Sequence, residues 1–304
     1  MKENRTLTYS LLILSTFFWG ISFIMTKELL DAPHMTVTLL ITLRLAVASF
    51  VMVPSLALLH KLERIRREDL KWFLLLALCE PFVYNLCETT GVDNVSSSLA
   101  SVIVATIPLF VPFGMWIAYR KRITSSMLLG VLLSLGGVAL LLVGGDELSG
   151  SFTGLLALTG AVVIAVVYTL ILVKIVDHYN PVTVTTYQNL IGLVYYLPLA
   201  VWSASKGGFQ FSLFTLQPRH LLYLLLLGVC CSTLAYVFYN RGVRHLGASE
   251  ACIFNNAIPV VTFFVALSLP GLAHAETFSW HKLLAILIVI SGVVIAQGRP
   301  EKKQ

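Results

Sequence analysis

The chain has 304 residues, of which 57% are hydrophobic and only 12% charged, whereas a soluble domain carries about 25% charge. Roughly half the residues of a soluble domain must face water, so this much apolar surface excludes an ordinary cytosolic protein. The net charge of +6 sits in short runs between apolar stretches, an arrangement that argues against a nucleic-acid-binding surface.

The apolar stretches are long enough to cross a hydrocarbon layer of ~30 Å, which takes about 20 helical residues. Strict apolar/polar alternation is absent, so a transmembrane β-barrel is excluded, and spans of this kind must be helices that satisfy their own backbone. Ten spans are predicted, near Thr8–Thr26, Met35–Leu59, Lys71–Cys87, Ser96–Tyr119, Ser125–Val143, Phe152–Val173, Val182–Ala204, Leu221–Tyr239, Ala248–Leu269 and His281–Gln297. The first begins after Lys2 and Arg5 like a secretion signal, but Trp19-Gly20, Phe23 and Met25 stand where small residues would mark a cleavage site. It is expected to remain as a helix.

With the N-terminus inside, the basic runs at Lys61–Lys71 and Arg120–Arg122, with Lys174, Arg241, Arg244 and Arg299, all fall on one side. The positive-inside rule then places both termini in the cytoplasm. The basic loops face anionic lipid.

The chain repeats itself. Residues Asp69–Pro108 align without a gap on His220–Pro259: Cys79 falls on Cys230, Gly91-Val92 on Gly242-Val243, Ser98 on Ser249 and Ile107-Pro108 on Ile258-Pro259. Gly137-Val138 aligns with Gly292-Val293. Residues 1–147 and 148–304 thus read as two five-helix units. An odd number of spans per unit inserts the second upside down. Paired inverted repeats characterise secondary transporters, with the substrate site between them. The expected fold is an all-α integral membrane protein of ten transmembrane helices in two inverted five-helix repeats.

Pro108 and Pro259 lie inside the fourth and ninth spans and are expected to kink them, freeing carbonyls near Val104 and Asn255. These kinks serve either packing or a hinge. Glu80 lies near the middle of the third span, where a charge costs at least ~2.5–3.5 kcal/mol. Two readings stand: a proton-coupling or cation-binding carboxylate, or a neutral acid tied to a neighbouring helix. Tyr84, Asn85 and Glu88 follow it; positions 80, 84 and 88 form one stripe, and Glu88 reads equally as solvated near the outer interface. Arg44 in the second span is expected to counter a substrate carboxylate, to pair with Glu28, Glu80 or Glu88, or to snorkel to the outer surface. Lys27 and Glu28 read as interfacial. Asn255 and Asn256, and the polar run Tyr187-Gln188-Asn189, suit either substrate contacts or interhelical hydrogen bonds. Trp19, Tyr168, Tyr236 and Tyr239 suit a cavity wall or an interfacial belt.

The five cysteines all sit in apolar segments without metal-ligand spacing, and no phosphate-binding loop or nucleophile triad is present. No metal, no cofactor and no enzymatic activity are expected. Gly144-Gly145-Asp146-Glu147 shares letters with a nucleotide-cyclase signature but lies in a short loop.

Trp19-Gly20 with Phe23 and Lys27, Arg44, and a Pro-centred fourth helix entered through Gly91-Val92 and small residues together resemble the EamA family of the drug/metabolite transporter superfamily. The resemblance covers essentially the whole chain. It implies ten helices in two inverted repeats and small-molecule transport, often export, across a bacterial inner membrane. Glu80-Pro81 and Glu88 depart from the commonest pattern. The partners expected are a small-molecule substrate, protons and membrane lipid; no feature specifies an oligomeric state. Glu80, Arg44, Trp19, Tyr84, Asn85, Tyr168, Asn255 and Asn256 are the predicted site. The alternatives are an uncoupled facilitative carrier and a lipid translocator.

Overall fold

The computed structural model describes residues 5–59, 63–120, 125–143, 151–203, 216–268 and 279–297. Among these residues the chain is helical throughout, with no strand. The first half comprises α1 (Arg5–Leu30), α2 (Val37–Leu59), α3 (Leu70–Ala77), α4 (Tyr84–Asn94), α5 (Ser97–Val104), α6 (Ile107–Tyr119) and α7 (Ser125–Val143). The second comprises α8 (Phe152–Ile175), α9 (Pro181–Ser203), α10 (Pro218–Leu226), α11 (Ala235–Leu246), α12 (Ala248–Cys252), α13 (Ile258–Ser268) and α14 (Trp280–Gln297). Seven of the described helical runs are long and apolar enough to cross a membrane. The run α9 is not among them because Thr183, Thr185, Thr186, Gln188 and Asn189 lower its hydropathy; all five are buried inside the protein.

Starts and stops follow local chemistry. The Ser96 hydroxyl accepts the Leu99 N–H at the start of α5, and Ser151 caps α8 through Thr153. α11 stops at Gly247, whose φ of 89° suits a residue without Cβ. α1 runs four residues beyond its predicted end, and Glu28 is only 3% exposed. Lys27 Nζ meanwhile ties α1 to the end of α4 by donating to the carbonyls of Val92 and Asp93 at 2.9 and 2.8 Å.

The third span is broken between α3 and α4. Glu80 takes an extended conformation (φ −138°, ψ 120°), the region to which a following proline confines a residue. The Tyr84 N–H reaches Cys79 O, five residues back. The Pro81 ring sits where a Cβ on Gly192 would be, and Tyr196 donates to Phe82 O at 2.6 Å. The equivalent stretch Leu227–Leu234 widens the same way without a proline: Ala235 N–H reaches Cys230 O, and the Thr233 hydroxyl takes Gly228 O at 3.0 Å. α5 gives way to α6 just before Pro108, and Ile253–Ala257 is a tight turn just before Pro259. The Asn255 carbonyl is not left free, because it accepts the Ile258 N–H.

Packing repeats between halves. Gly91 of α4 receives Leu158 of α8, and its repeat mate Gly242 of α11 receives Leu12 of α1. Gly20 of α1 meets Val261 of α13, and Gly114 of α6 meets Val166 of α8. Gly137 of α7 lies against Val289 and Ala285, while Gly292 of α14 lies against Ser134 and Gly130. This reciprocal set makes α7 and α14 run antiparallel. α2 and α9 also run antiparallel, with Met52 near Thr186 and Asn189, and Tyr196 packed with Ile41 and Leu45. Hydroxyls stitch the seams: Ser15 donates to Ala235 O at 2.8 Å and Thr262 to Gly20 O at 2.8 Å.

Candidate functional site

A cavity lies between the two halves. Its walls come from α1, α2, the break in the third span, α4, α5, α6, α8, α11 and the start of α13. Trp19, Arg44, Glu80, Tyr84, Tyr168 and Asn255 line it, together with Glu88, Tyr236 and Tyr239.

Glu80 enters the cavity because the broken backbone at Pro81 turns it out of the helical path. Its Oε1 accepts the Tyr236 hydroxyl at 2.6 Å, while Oε2 has no partner among the described residues. The Asn255 Oδ1 is likewise buried and unpartnered. Two buried acceptor oxygens thus lack a partner among the described residues, where an unmade hydrogen bond costs about 1–3 kcal/mol. Arg44, only 4% exposed, donates through Nε to the Ser232 hydroxyl. The predicted ion pairs to Glu80 and Glu88 are not formed: among the described residues neither carboxylate lies within salt-bridge distance of Arg44. Glu88 instead accepts the Tyr84 hydroxyl at 3.1 Å. The cavity therefore holds two carboxyl groups and one guanidinium, with neither carboxyl within ion-pair distance of Arg44.

The walls between these groups are aromatic. Tyr236 meets Trp19 edge-on at 5.1 Å, and Tyr239 lies 5.3 Å from the same indole. The indole is fixed by its N–H to Cys231 O at 3.3 Å, and Tyr239 by its hydroxyl against Cys252 Sγ at 2.9 Å. The Tyr168 hydroxyl stands 3.4 Å from Gln188 Oε1 and from Asn240 Oδ1. Such edge and tilted pairs contribute ~0.5–1.5 kcal/mol beyond area burial and keep the rings from swinging.

Asn85 and Asn256 do not line the cavity. Both are buried elsewhere, with Asn85 Oδ1 and both polar atoms of Asn256 unpartnered among the described residues. On a helix, neighbours differ by about 100° in direction, so Tyr84 and Asn85 cannot share a face. In the polar run of α9, Gln188 serves Tyr168, and Asn189 donates to Ser232 O at 3.0 Å, so it holds the residue that holds Arg44. Ser22, Phe23 and Thr169 line the cavity without having been predicted as site residues. Mapping the stripe 80, 84, 88 onto the second half gives Cys231, Ala235 and Tyr239, which is the signal for Tyr239. Tyr236 as the partner of Glu80 had no such signal.

The profile of the EamA-like transporter family matches twice, over residues 6–143 and 152–297. The chain belongs to this family. It is therefore an integral membrane protein and a transporter. Among curated relatives it is 25% identical to the uncharacterized transporter YetK of Bacillus subtilis, over 85% of this chain and 78% of that protein. It is 27% identical to the uncharacterized transporter YcxC of the same organism, over 100% of this chain and 96% of that protein. An uncharacterized transporter of Archaeoglobus fulgidus is 26% identical over 92% of this chain and 97% of its own length. A solved crystal structure shares the fold, with a TM-score of 0.69 and 16% identity over 96% of this chain and 99% of its own.

Proposed function

We propose that the protein is a secondary transporter of ten spans in two inverted five-helix repeats, residues 1–147 and 148–304. It moves a small organic solute outward across a bacterial inner membrane, with both termini in the cytoplasm. The antiparallel courses of α7 against α14 and of α2 against α9 support the inversion. A two-fold axis along the membrane normal would leave equivalent helices parallel; an axis in the membrane plane reverses them. The sidedness rests on the basic loops.

The observation that carries the reading is the cavity shared by both halves, in which Glu80 and Arg44 stand between aromatic walls without forming an ion pair with each other. The solute that matches it carries an ammonium for Glu80 Oε2 and Asn255 Oδ1, an acceptor such as a carboxylate for Arg44, and an apolar body for Trp19, Tyr236 and Tyr239. Glu80 gives up its bound proton when the solute's ammonium arrives, which couples export to proton entry. Rocking of the repeats exposes the cavity to each side in turn.

The test is flux in proteoliposomes from a panel of zwitterionic solutes, with and without a proton gradient. Coupling predicts that a gradient drives accumulation in the wild type, and that Glu80→Gln loses this while retaining exchange of solute across the bilayer. Flux indifferent to the gradient and intact in Glu80→Gln removes the proton role. The uncoupled carrier is then the better reading, and one observation already favours it: the Tyr236 hydroxyl on Glu80 Oε1 suits an acid tied permanently to its neighbour.

A further inference from the structure

On the face that bears the start of α1, cytoplasmic in the proposal above, two linkers from opposite halves interlock. Asn180 caps α9 in the usual way, its Oδ1 accepting the Val182 N–H at 3.0 Å. The Asn180 N–H is taken by Glu63 Oε2 at 2.7 Å, and the Glu63 N–H donates to Thr183 Oγ1 at 3.4 Å. In an ordinary capping box, the acid that reaches back to the N-cap N–H sits three residues on in the same helix. Here that position is Thr183, and the acid comes from the other half of the molecule. Beside it, the buried Tyr179 donates its hydroxyl to Asp69 Oδ2 at 2.7 Å and accepts the Arg66 N–H at 3.1 Å. Its ring stands edge-on to Phe73 at 5.1 Å, and Phe73 meets Tyr187 at 5.8 Å. An aromatic plug therefore lies directly beneath a polar clasp. The clasp sits about 15 Å from the cavity, since Asp69 precedes Glu80 and Tyr179 follows Tyr168 by roughly ten residues at 1.5 Å each.

We infer that Glu63, Asp69, Tyr179 and Asn180 form a latch that holds the cytoplasmic mouth of the cavity shut in this conformation. It rests on the transport reading above.

The test is a distance measurement between spin labels on Arg67→Cys and Asp177→Cys, both exposed, in a background carrying Cys87→Ser and Cys230→Ser. With the latch intact, one short, narrow distance is expected. Tyr179→Phe combined with Glu63→Ala removes the clasp and keeps the ring. It is expected to add a longer population, with the open-to-closed ratio rising roughly tenfold or more, as the loss of three hydrogen bonds implies. Asp69→Asn, which preserves shape, is the second variant and is expected to shift the ratio the same way by less. Unchanged distances in both variants overturn the latch, as does lengthening that accompanies loss of the cooperative thermal transition. Flux is read separately on the same proteins: flux with unchanged distances sinks the latch alone, whereas absence of flux for every solute in the wild type counts against transport.

Discussion

The Tyr236 hydroxyl donates to Glu80 Oε1 at 2.6 Å across the seam between the two halves. One carboxylate oxygen is committed to the protein, and the other is buried without a partner among the described residues. Any rocking of α11 against the broken third span must lengthen or remake this bond, so it links the ionic state of the site to the geometry of the seam.

Tyr236→Phe removes that donor and retains the ring against Trp19. It should leave a folded protein, destabilised by about 1–3 kcal/mol through the unmet buried acceptor, with flux reduced at least tenfold. Thermal unfolding in detergent and vesicle flux check the two halves of the statement. Wild-type flux in the variant would mean that the bond is only structural.

Arg44 is engaged through Nε by Ser232, so its remaining nitrogens are the part available to a solute. Arg44→Lys keeps the charge and loses the planar fork. Its KM for solutes bearing a carboxylate should rise roughly tenfold or more, since a charge-assisted hydrogen bond is worth about 1.5–3 kcal/mol. The corresponding amines without a carboxylate should be unaffected. Equal loss for both solute types would assign Arg44 to packing.

Trp19 touches both Tyr236 and Tyr239. Trp19→Ala should weaken binding of aromatic-bodied solutes about tenfold and Trp19→Phe by less, measured as the ligand-induced rise in melting temperature. A solute with no apolar body should bind both variants alike.

A Cβ on Gly242 would come within 2.5 Å of Leu12. Gly242→Ala should therefore cost about 1–3 kcal/mol by overpacking, and Leu12→Ala should recover part of that loss in the double variant. The same exchange is expected for Gly91→Ala with Leu158→Ala. Strict additivity in both cycles would show that these glycines are not close-contact sites.

Much of this was legible beforehand, for a specific reason. The glycines of the repeat, Gly91 with Gly242 and Gly137 with Gly292, are spaced alike because each admits a neighbour at the equivalent seam. An acid at Glu80 was visible because lipid tolerates none without a purpose. The direction of each polar side chain was less legible. Asn255 and Asn256 are adjacent and chemically identical, yet only Asn255 reaches the cavity. Arg44 was expected to meet an acid and meets Ser232, because Gly228 lets α2 pack closely against that wide turn and brings the hydroxyl to Nε before any carboxylate.

The amino-acid order alone determined that the chain lives in lipid, that it repeats itself, and that an acid and a guanidinium lie at membrane depth. Hydropathy and spacing are properties of the unfolded string, and no contact is needed to read them. Only the tertiary structure decided that Tyr236 takes Glu80, that Glu63 caps a helix of the opposite half, and that Asn85 turns away. Those outcomes depend on how far each helix is rotated and how closely it approaches its neighbours. Remote residues such as Leu12, Val47 and Leu158 set both by the shapes that they press into the facing glycines.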